Sequence, residues 1–282
     1  MARYLFPVLK RHRLDTVAKH LNIFMGSHHR AVDDAETTAN ILFRAFEILE
    51  KNDIHDTAAL NQDYFAKVDV TKIMPDHCII LAKNQAGLKQ LYELVSEAHL
   101  KYFQRNPRIP KSLLQKSRTN LILGSACTSS ELYRAMLDGR KAEEVRRIAD
   151  FYDYLEIQPV TNQEHLLFEG RCTTNQLKEM NRTILNLGKS LGKPVVATGD
   201  VHMLNSSDKA FRQILTYCHG FAGGGENSVA MHYRTTEEML REFDYLGSQA
   251  AREVVIDNSR LVASWIEPVL PVPKETFPPK ME

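Results

Sequence analysis

The chain has 282 residues, 43% hydrophobic and 25% charged, the balance of a soluble globular protein, which excludes wholesale disorder and a membrane class. With 36 basic against 35 acidic side chains the formal net charge is +1, so no global field draws in nucleic acid and any such contact must come from a local patch. Cys78, Cys127, Cys172 and Cys218 are widely spaced without a CxxC pair, and Met1 to Pro7 is too short and too soon followed by Lys10, Arg11 and Arg13 for a leader or span, which predicts a reduced, cytoplasmic setting and no membrane.

In chain order, Leu14, Val17, Ala18 and Leu21 follow helical spacing, and a second helical run passes through Ala35, Ala39, Leu42, Phe46 and Leu49. Gly26-Ser27-His28-His29 joins the two, polar residues Lys51 to Thr57 end that unit, and a mixed linker is expected to continue to Pro75. Beyond it the pattern alternates between short apolar strands and helices. Ile79-Ile80-Leu81 precedes a helix through Leu88, Leu91, Leu94 and Val95, and Leu121-Ile122-Leu123 precedes one at Leu132 to Leu137. Tyr154-Leu155-Glu156-Ile157 precedes a long helix from Asn175 to Leu191, stopped by Gly192 and followed by Val195-Val196-Ala197. Strands separated by helices of this length predict an α/β fold with parallel pairing, as an open doubly wound sheet or an αβ barrel. After the loop-like Gly223-Gly224-Gly225, two helices are expected near Thr235 to Phe243 and Ser248 to Trp265, the first with a capping box from Thr235 to Glu238. The five prolines of Pro268 to Pro279 predict a linker in place of a packed helix.

Four constellations are candidates for chemistry. His29 and Asp34 flank a helix start, where the Asp would ligate a divalent cation and the His deprotonate water; an acidic first turn favoured by the helix dipole explains the same spacing. Gly199-Asp200-Val201-His202 follows an apolar strand, and alternation along an extended chain would put Asp200 and His202 on one side, where oxygen and imidazole suit Zn, Mn or Fe. The competing reading makes Asp200 a cap for a helix at Ser206 beside a surface His202. Cys127, after the Leu121 strand, and His77, before the Ile79 strand, are further ligand candidates, although each alone is an ordinary structural residue. Parallel topology would set His77 at the opposite end of the sheet from Cys127. The fourth is the acid-free stretch with Lys101, Arg105, Arg108, Lys111, Lys116 and Arg118 around Tyr102 and Phe103, which would track phosphates or serve as a solvated basic face.

Taken together these segments resemble the PolC-type DNA polymerase III α subunit, in which a DEDDh exonuclease is inserted inside the PHP (polymerase and histidinol phosphatase) domain. The resemblance rests on Ala2-Arg3-Tyr4-Leu5, His28-His29-Arg30-Ala31, Leu81-Ala82-Lys83-Asn84, Pro107-Arg108-Ile109-Pro110 and Tyr154-Leu155-Glu156-Ile157-Gln158-Pro159. It extends to Ala197-Thr198-Gly199-Asp200-Val201-His202 and Arg234-Thr235-Thr236-Glu237-Glu238-Met239-Leu240. It implies residues 1–57 as the last helices of a 3'–5' exonuclease, 58–220 as the later part of a PHP domain of distorted αβ-barrel type, and 221–282 as a helical connection toward a polymerase palm. His29 would be the exonuclease base and Asp34 a ligand of its Mg or Mn, while His77, Cys127, Asp200 and His202 would belong to a PHP cluster holding Zn or Mn. Lys101, Arg105, Arg108 and Lys111 would contact DNA.

The implied parent is a replicative DNA polymerase with proofreading activity, whose partners would be DNA, the rest of the polypeptide and replisome subunits such as the sliding clamp. No Asp-x-Glu strand precedes His29, and no His-x-His opens the PHP part. Two-metal chemistry needs several carboxylates around ions about 4 Å apart. This chain alone is therefore expected neither to polymerise nor to proofread, and to be a truncation, a split reading frame or a piece of a longer protein serving as a metal-binding scaffold. Two other functions compete: a free-standing PHP-type phosphoesterase, and a noncatalytic DNA-binding module.

Overall fold

The computed structural model describes residues 2–9, 11–25, 31–67, 74–104, 106–218 and 231–272. The chain divides into two compact units, Met1–Ile73 and Met74–Glu282.

The first unit contains helices α1 (Ala2–Leu5), α2 (Leu14–His20), α3 (Ala31–Lys51) and α4 (Thr57–Lys67). Helix α2 packs on α3, and Val17, Ala18, Ala45 and Leu49 are buried, as the apolar spacing requires. Helix α4 occupies part of the expected linker. Its apolar residues are too sparse for a periodic stripe, and its start depends on a local interaction: the Asp56 carboxylate accepts the Ala59 N–H at 2.7 Å.

The second unit alternates strands and helices. Strand β1 (Ile79–Ala82) leads into α5 (Gln85–Leu100), whose Asn84 cap accepts the Gly87 N–H, and then into α6 (Lys111–Lys116). Strand β2 (Leu121–Gly124) is followed by α7 (Glu131–Leu137) and α8 (Ala142–Asp150), and β3 (Leu155–Ile157) by α9 (Glu164–Phe168) and α10 (Thr174–Leu191). After β4 (Val195–Ala197) come α11 (Lys209–Cys218) and α12 (Thr236–Glu242). Helices α13 (Ser248–Arg252) and α14 (Asn258–Ser264) are joined through a π-helical turn at Glu253–Asp257. The Thr235–Glu238 capping box is formed.

The fold class is α/β, but the pairing is not parallel throughout. Strands β3 and β4 are parallel, with Leu155 opposite Val195, and a single parallel bridge from Gly124 to Tyr154 links β2 to β3. Strand β1 runs antiparallel to β2, with Ile79 opposite Gly124 and Ala82 opposite Leu121. The reason lies in the connection. Lys83 N–H donates to Asn120 O at 2.9 Å, so α5 and α6 make an excursion that returns to the end of the sheet it left, where a crossover would have carried the chain to the other end.

The core lies between the strands and α7, α8 and α10, where Leu121, Leu123, Leu155, Ile157, Leu177, Ile184 and Val195 are almost wholly buried, each contributing about 1.5–3 kcal/mol. Gly188 lets α10 approach β4, because a Cβ there would lie 2.4 Å from Val195 Cγ2 and 2.9 Å from Lys193 O. Gly192 then ends the helix at φ +65°. Gly188→Ala would gain up to about 1 kcal/mol of helix propensity but overpack this contact at about 1–3 kcal/mol. The expected result is a lower urea midpoint with unchanged m-value; a raised midpoint would show that the contact yields.

Candidate functional site

Because β1 runs against the other strands, its start and the ends of β2, β3 and β4 all open on one edge of the sheet. His77 precedes β1 there and pairs with Ser130 by a backbone bridge. The loops leaving β2 and β4 each turn through a non-glycine residue in the left-handed region, Ala126 at φ +59° and Asp200 at φ +46°. Such conformations cost on the order of 1 kcal/mol or more and persist only where their surroundings enforce them.

A cavity of about 550 Å³ opens at this edge, lined among others by Asp76, His77, Cys127, Glu156, Thr198 and Asp200. His77 and Cys127 touch: the thiol lies 3.3 Å from His77 Nδ1. The antiparallel β1 thus removes the obstacle that parallel topology would have posed to this pair. Burial pushes the Cys127 thiol above its ordinary range, and the charge of Asp200 acts in the same direction. Beside His77, burial raises the Asp76 carboxyl against the opposing pull of Arg134, whose Nη1 lies 3.0 Å from Asp76 Oδ1.

Glu156 is the site residue that sequence reasoning passed over. Only 5% exposed, it accepts the Thr198 hydroxyl at Oε2 at 3.0 Å, while its buried Oε1 has no hydrogen-bond partner. The Tyr154 hydroxyl and the Ala126 N–H also lie against the carboxylate and favour its charged form. Burial raises this carboxyl above its usual range; the Thr198 hydrogen bond opposes the shift. The signal was present in the sequence, since Glu156 interrupts an apolar strand whose neighbours Leu155 and Ile157 are both core residues.

Asp200 and His202 do not lie on one side of an extended strand. Strand β4 ends at Ala197, and the left-handed turn at Asp200 breaks the alternation on which that expectation rested. Asp200 lines the cavity, whereas His202 is not among its lining residues. His202 Nδ1 instead donates to Asp200 O at 2.7 Å and lies 3.6 Å from Asp200 Oδ1. A carbonyl only accepts, so that bond commits Nδ1 as its donor. Nor does Asp200 cap the following turn; Asn205 does, in a reciprocal pair with Asp208. Among the described residues, no three His, Cys, Asp or Glu side chains stand close enough together to form a ready-made metal site.

The basic stretch is largely engaged with the protein. Lys101 pairs with Glu97 at 3.4 Å, Lys111 with Glu131 while lying over the Phe151 ring, and Arg118 with Asp153 at 2.7 Å. Arg108 bonds to Gln104 O and, with Lys111, lines the same cavity as His77. Arg105 and His29 lie outside the described residues. Asp34 sits on the first turn of α3 beside Asp33, half-buried, in the separate first unit. No described helix is long and apolar enough to cross a membrane.

A family model described as the PHP domain matches residues 19–159, ending before Asp200 and His202. Along its whole length the chain is 51% identical to the PolC-type DNA polymerase III of Clostridium perfringens, 45% to that of Caldanaerobacter subterraneus subsp. tengcongensis and 41% to that of Bacillus subtilis. In each case it covers 20% of the relative, so the chain spans about a fifth of the length of these curated relatives.

The buried Glu156 yields a test independent of any ligand. A carboxylate with one oxygen unsatisfied costs about 1–3 kcal/mol. Glu156→Gln removes the charge while keeping the shape, and is therefore expected to raise the urea midpoint of the metal-free chain at neutral pH; a lowered midpoint would mean that the charge is compensated.

Proposed function

The chain belongs to the PHP domain family, and from that premise we propose that it is a metal-bearing scaffold segment of a replicative DNA polymerase of the PolC type, which does not itself copy DNA. The observation that carries the reading is the buried Glu156 carboxylate with its free oxygen, in a cavity that His77, Cys127 and Asp200 also line. Nature rarely buries a charge without a counter-charge, and a cation is the partner this donor set suits. The mixture of imidazole, thiolate and carboxylate fits Zn or Mn.

His77, Cys127, Glu156 and Asp200, which line one cavity, would have to draw together to hold the ion, and His202, bonded back to Asp200 O, would have to turn to join them. A bound ion would supply a Lewis acid at the open edge of the sheet. The chain's own contribution is positional: Thr198 holds one oxygen of Glu156, Arg134 holds Asp76 beside His77, and two left-handed turns present Cys127 and Asp200. We read the strands around the cavity as part of a distorted αβ barrel. For residues 1–57 we propose the last helices of a proofreading exonuclease, in which His29 would serve as base and Asp34 as a ligand of Mg or Mn. Residues 58–220 would then be the later part of the PHP domain and 221–282 the connection toward a palm.

In the parent, DNA, the remaining polypeptide and replisome subunits such as the clamp would be the partners, in the cytoplasm. The reading as a DNA-docking module has less support, because Lys101, Lys111 and Arg118 already hold Glu97, Glu131 and Asp153. A free-standing phosphoesterase is no better supported, since the full-length matches are to PolC-type DNA polymerase III.

Titration calorimetry of the full chain with Zn and with Mn is expected to show saturable binding, weakened roughly 10-fold or more by Asp200→Asn or Cys127→Ala. A flat titration for both ions would overturn the metal assignment. Primer extension and primer degradation by the same preparation are expected to be blank; degradation abolished by His29→Ala would overturn the noncatalytic reading.

A further inference from the structure

Arg234 is remote in sequence from every site residue and does not line the cavity, yet among the described residues it is one of the most buried charges, its side chain only 3% exposed. Its Nε donates to Glu242 Oε1 at 3.1 Å, one terminal nitrogen to Asn162 Oδ1 at 3.2 Å and the other to Thr161 Oγ1 at 2.9 Å. Thr161 Oγ1 in turn donates to Glu242 Oε2 at 3.2 Å.

Asn162, 4% exposed, carries the chain of bonds onward: its Nδ2 donates to Gly199 O at 2.7 Å. A guanidinium offers only donors, so Asn162 must turn its carbonyl oxygen toward Arg234, and this alone aims its NH2 at Gly199. Gly199 precedes Asp200, the residue held at φ +46°.

Gly199 is half-buried, and the Asn162 amide is the side-chain donor that holds its carbonyl. A left-handed non-glycine residue persists only where its surroundings enforce it, and this bond is one such restraint on the turn at Asp200. The same C-terminal segment grips the turn from its other side. His202 N–H donates to Met231 O at 2.8 Å, Tyr233 N–H donates to Met203 O at 2.9 Å, and Met203 pairs with His232.

We propose that Arg234 is a positioning residue for Asp200: through Asn162 and Gly199 it locks the left-handed turn that presents the Asp200 carboxylate to the cavity. Its effect on a metal rests on the function proposed above; its effect on the turn does not.

The test uses Arg234→Lys in the full chain, which keeps a cation beside Glu242 but cannot reach Thr161, Asn162 and Glu242 together. Amide hydrogen exchange over residues 199–204 is expected to accelerate roughly tenfold or more, with exchange in β1 and β2 unchanged. Affinity for Mn is expected to fall about 10–100-fold. Asn162→Ala, which leaves the Arg234–Glu242 pair intact, should reproduce the accelerated exchange, and decides the matter if the lysine variant does not fold. Wild-type exchange at 199–204 in a folded variant would overturn the proposal. A wild-type chain that binds no Mn but shows accelerated exchange in the variants would overturn the metal reading and leave the role of Arg234 standing.

Discussion

The site depends on one strand running the wrong way. Strand β1 lies antiparallel to β2 while β2, β3 and β4 run together, so the residue before β1 meets the residues after the other three. Had β1 been parallel, His77 would sit a strand length away from Cys127, about 13 Å over four residues at the usual rise. The return of the chain from Lys83 to Asn120 is what sets the direction. A backbone hydrogen bond at the far edge of the sheet thus permits the thiol and imidazole to touch at this one.

Three local costs gather around that edge. Ala126 and Asp200 hold left-handed backbone, Glu156 is a buried carboxylate with an oxygen to spare, and the Cys127 thiol is pushed up by burial. None of these helps the chain to fold. They are offset by the apolar core on the opposite side of the strands, where Leu155 and Ile157 flank Glu156 and bury against the helices. Stability and site are built from alternate residues of one strand, which is the natural consequence of a period of two.

The hydrogen bonds of Arg234 extend this division of labour past the glycine-rich stretch. Residues 231–234 contribute no side chain to the cavity but hold the Gly199 to Met203 turn from both sides. The geometry of Asp200 therefore draws on Thr161 and Asn162 after β3, on the turn after β4 and on α12. Contacts so distant along the chain leave no mark in local sequence pattern.

Local order was legible from residue types. The four strands appear as short apolar runs, α10 as a periodic stripe closed by Gly192, and α12 by its Thr235–Glu238 box. These features are governed by neighbours within a few residues. Helix α4 escaped notice because its cap at Asp56 carries it without an apolar stripe. The α/β class also followed from the alternation of elements, since short strands between helices have few ways to pack. Strand direction did not follow, nor did the left-handed turn that parts Asp200 from His202, nor the pairing of Lys101 and Lys111 with Glu97 and Glu131. Glu156 stood in plain view as a charge within an apolar strand, yet only its surroundings show that one of its oxygens lacks a partner. Sequence by itself determined which segments form strands and helices, because that choice is made by period and capping. Tertiary structure alone decided which side chains share the cavity, because their meeting depends on strand direction and on hydrogen bonds between residues dozens of positions apart.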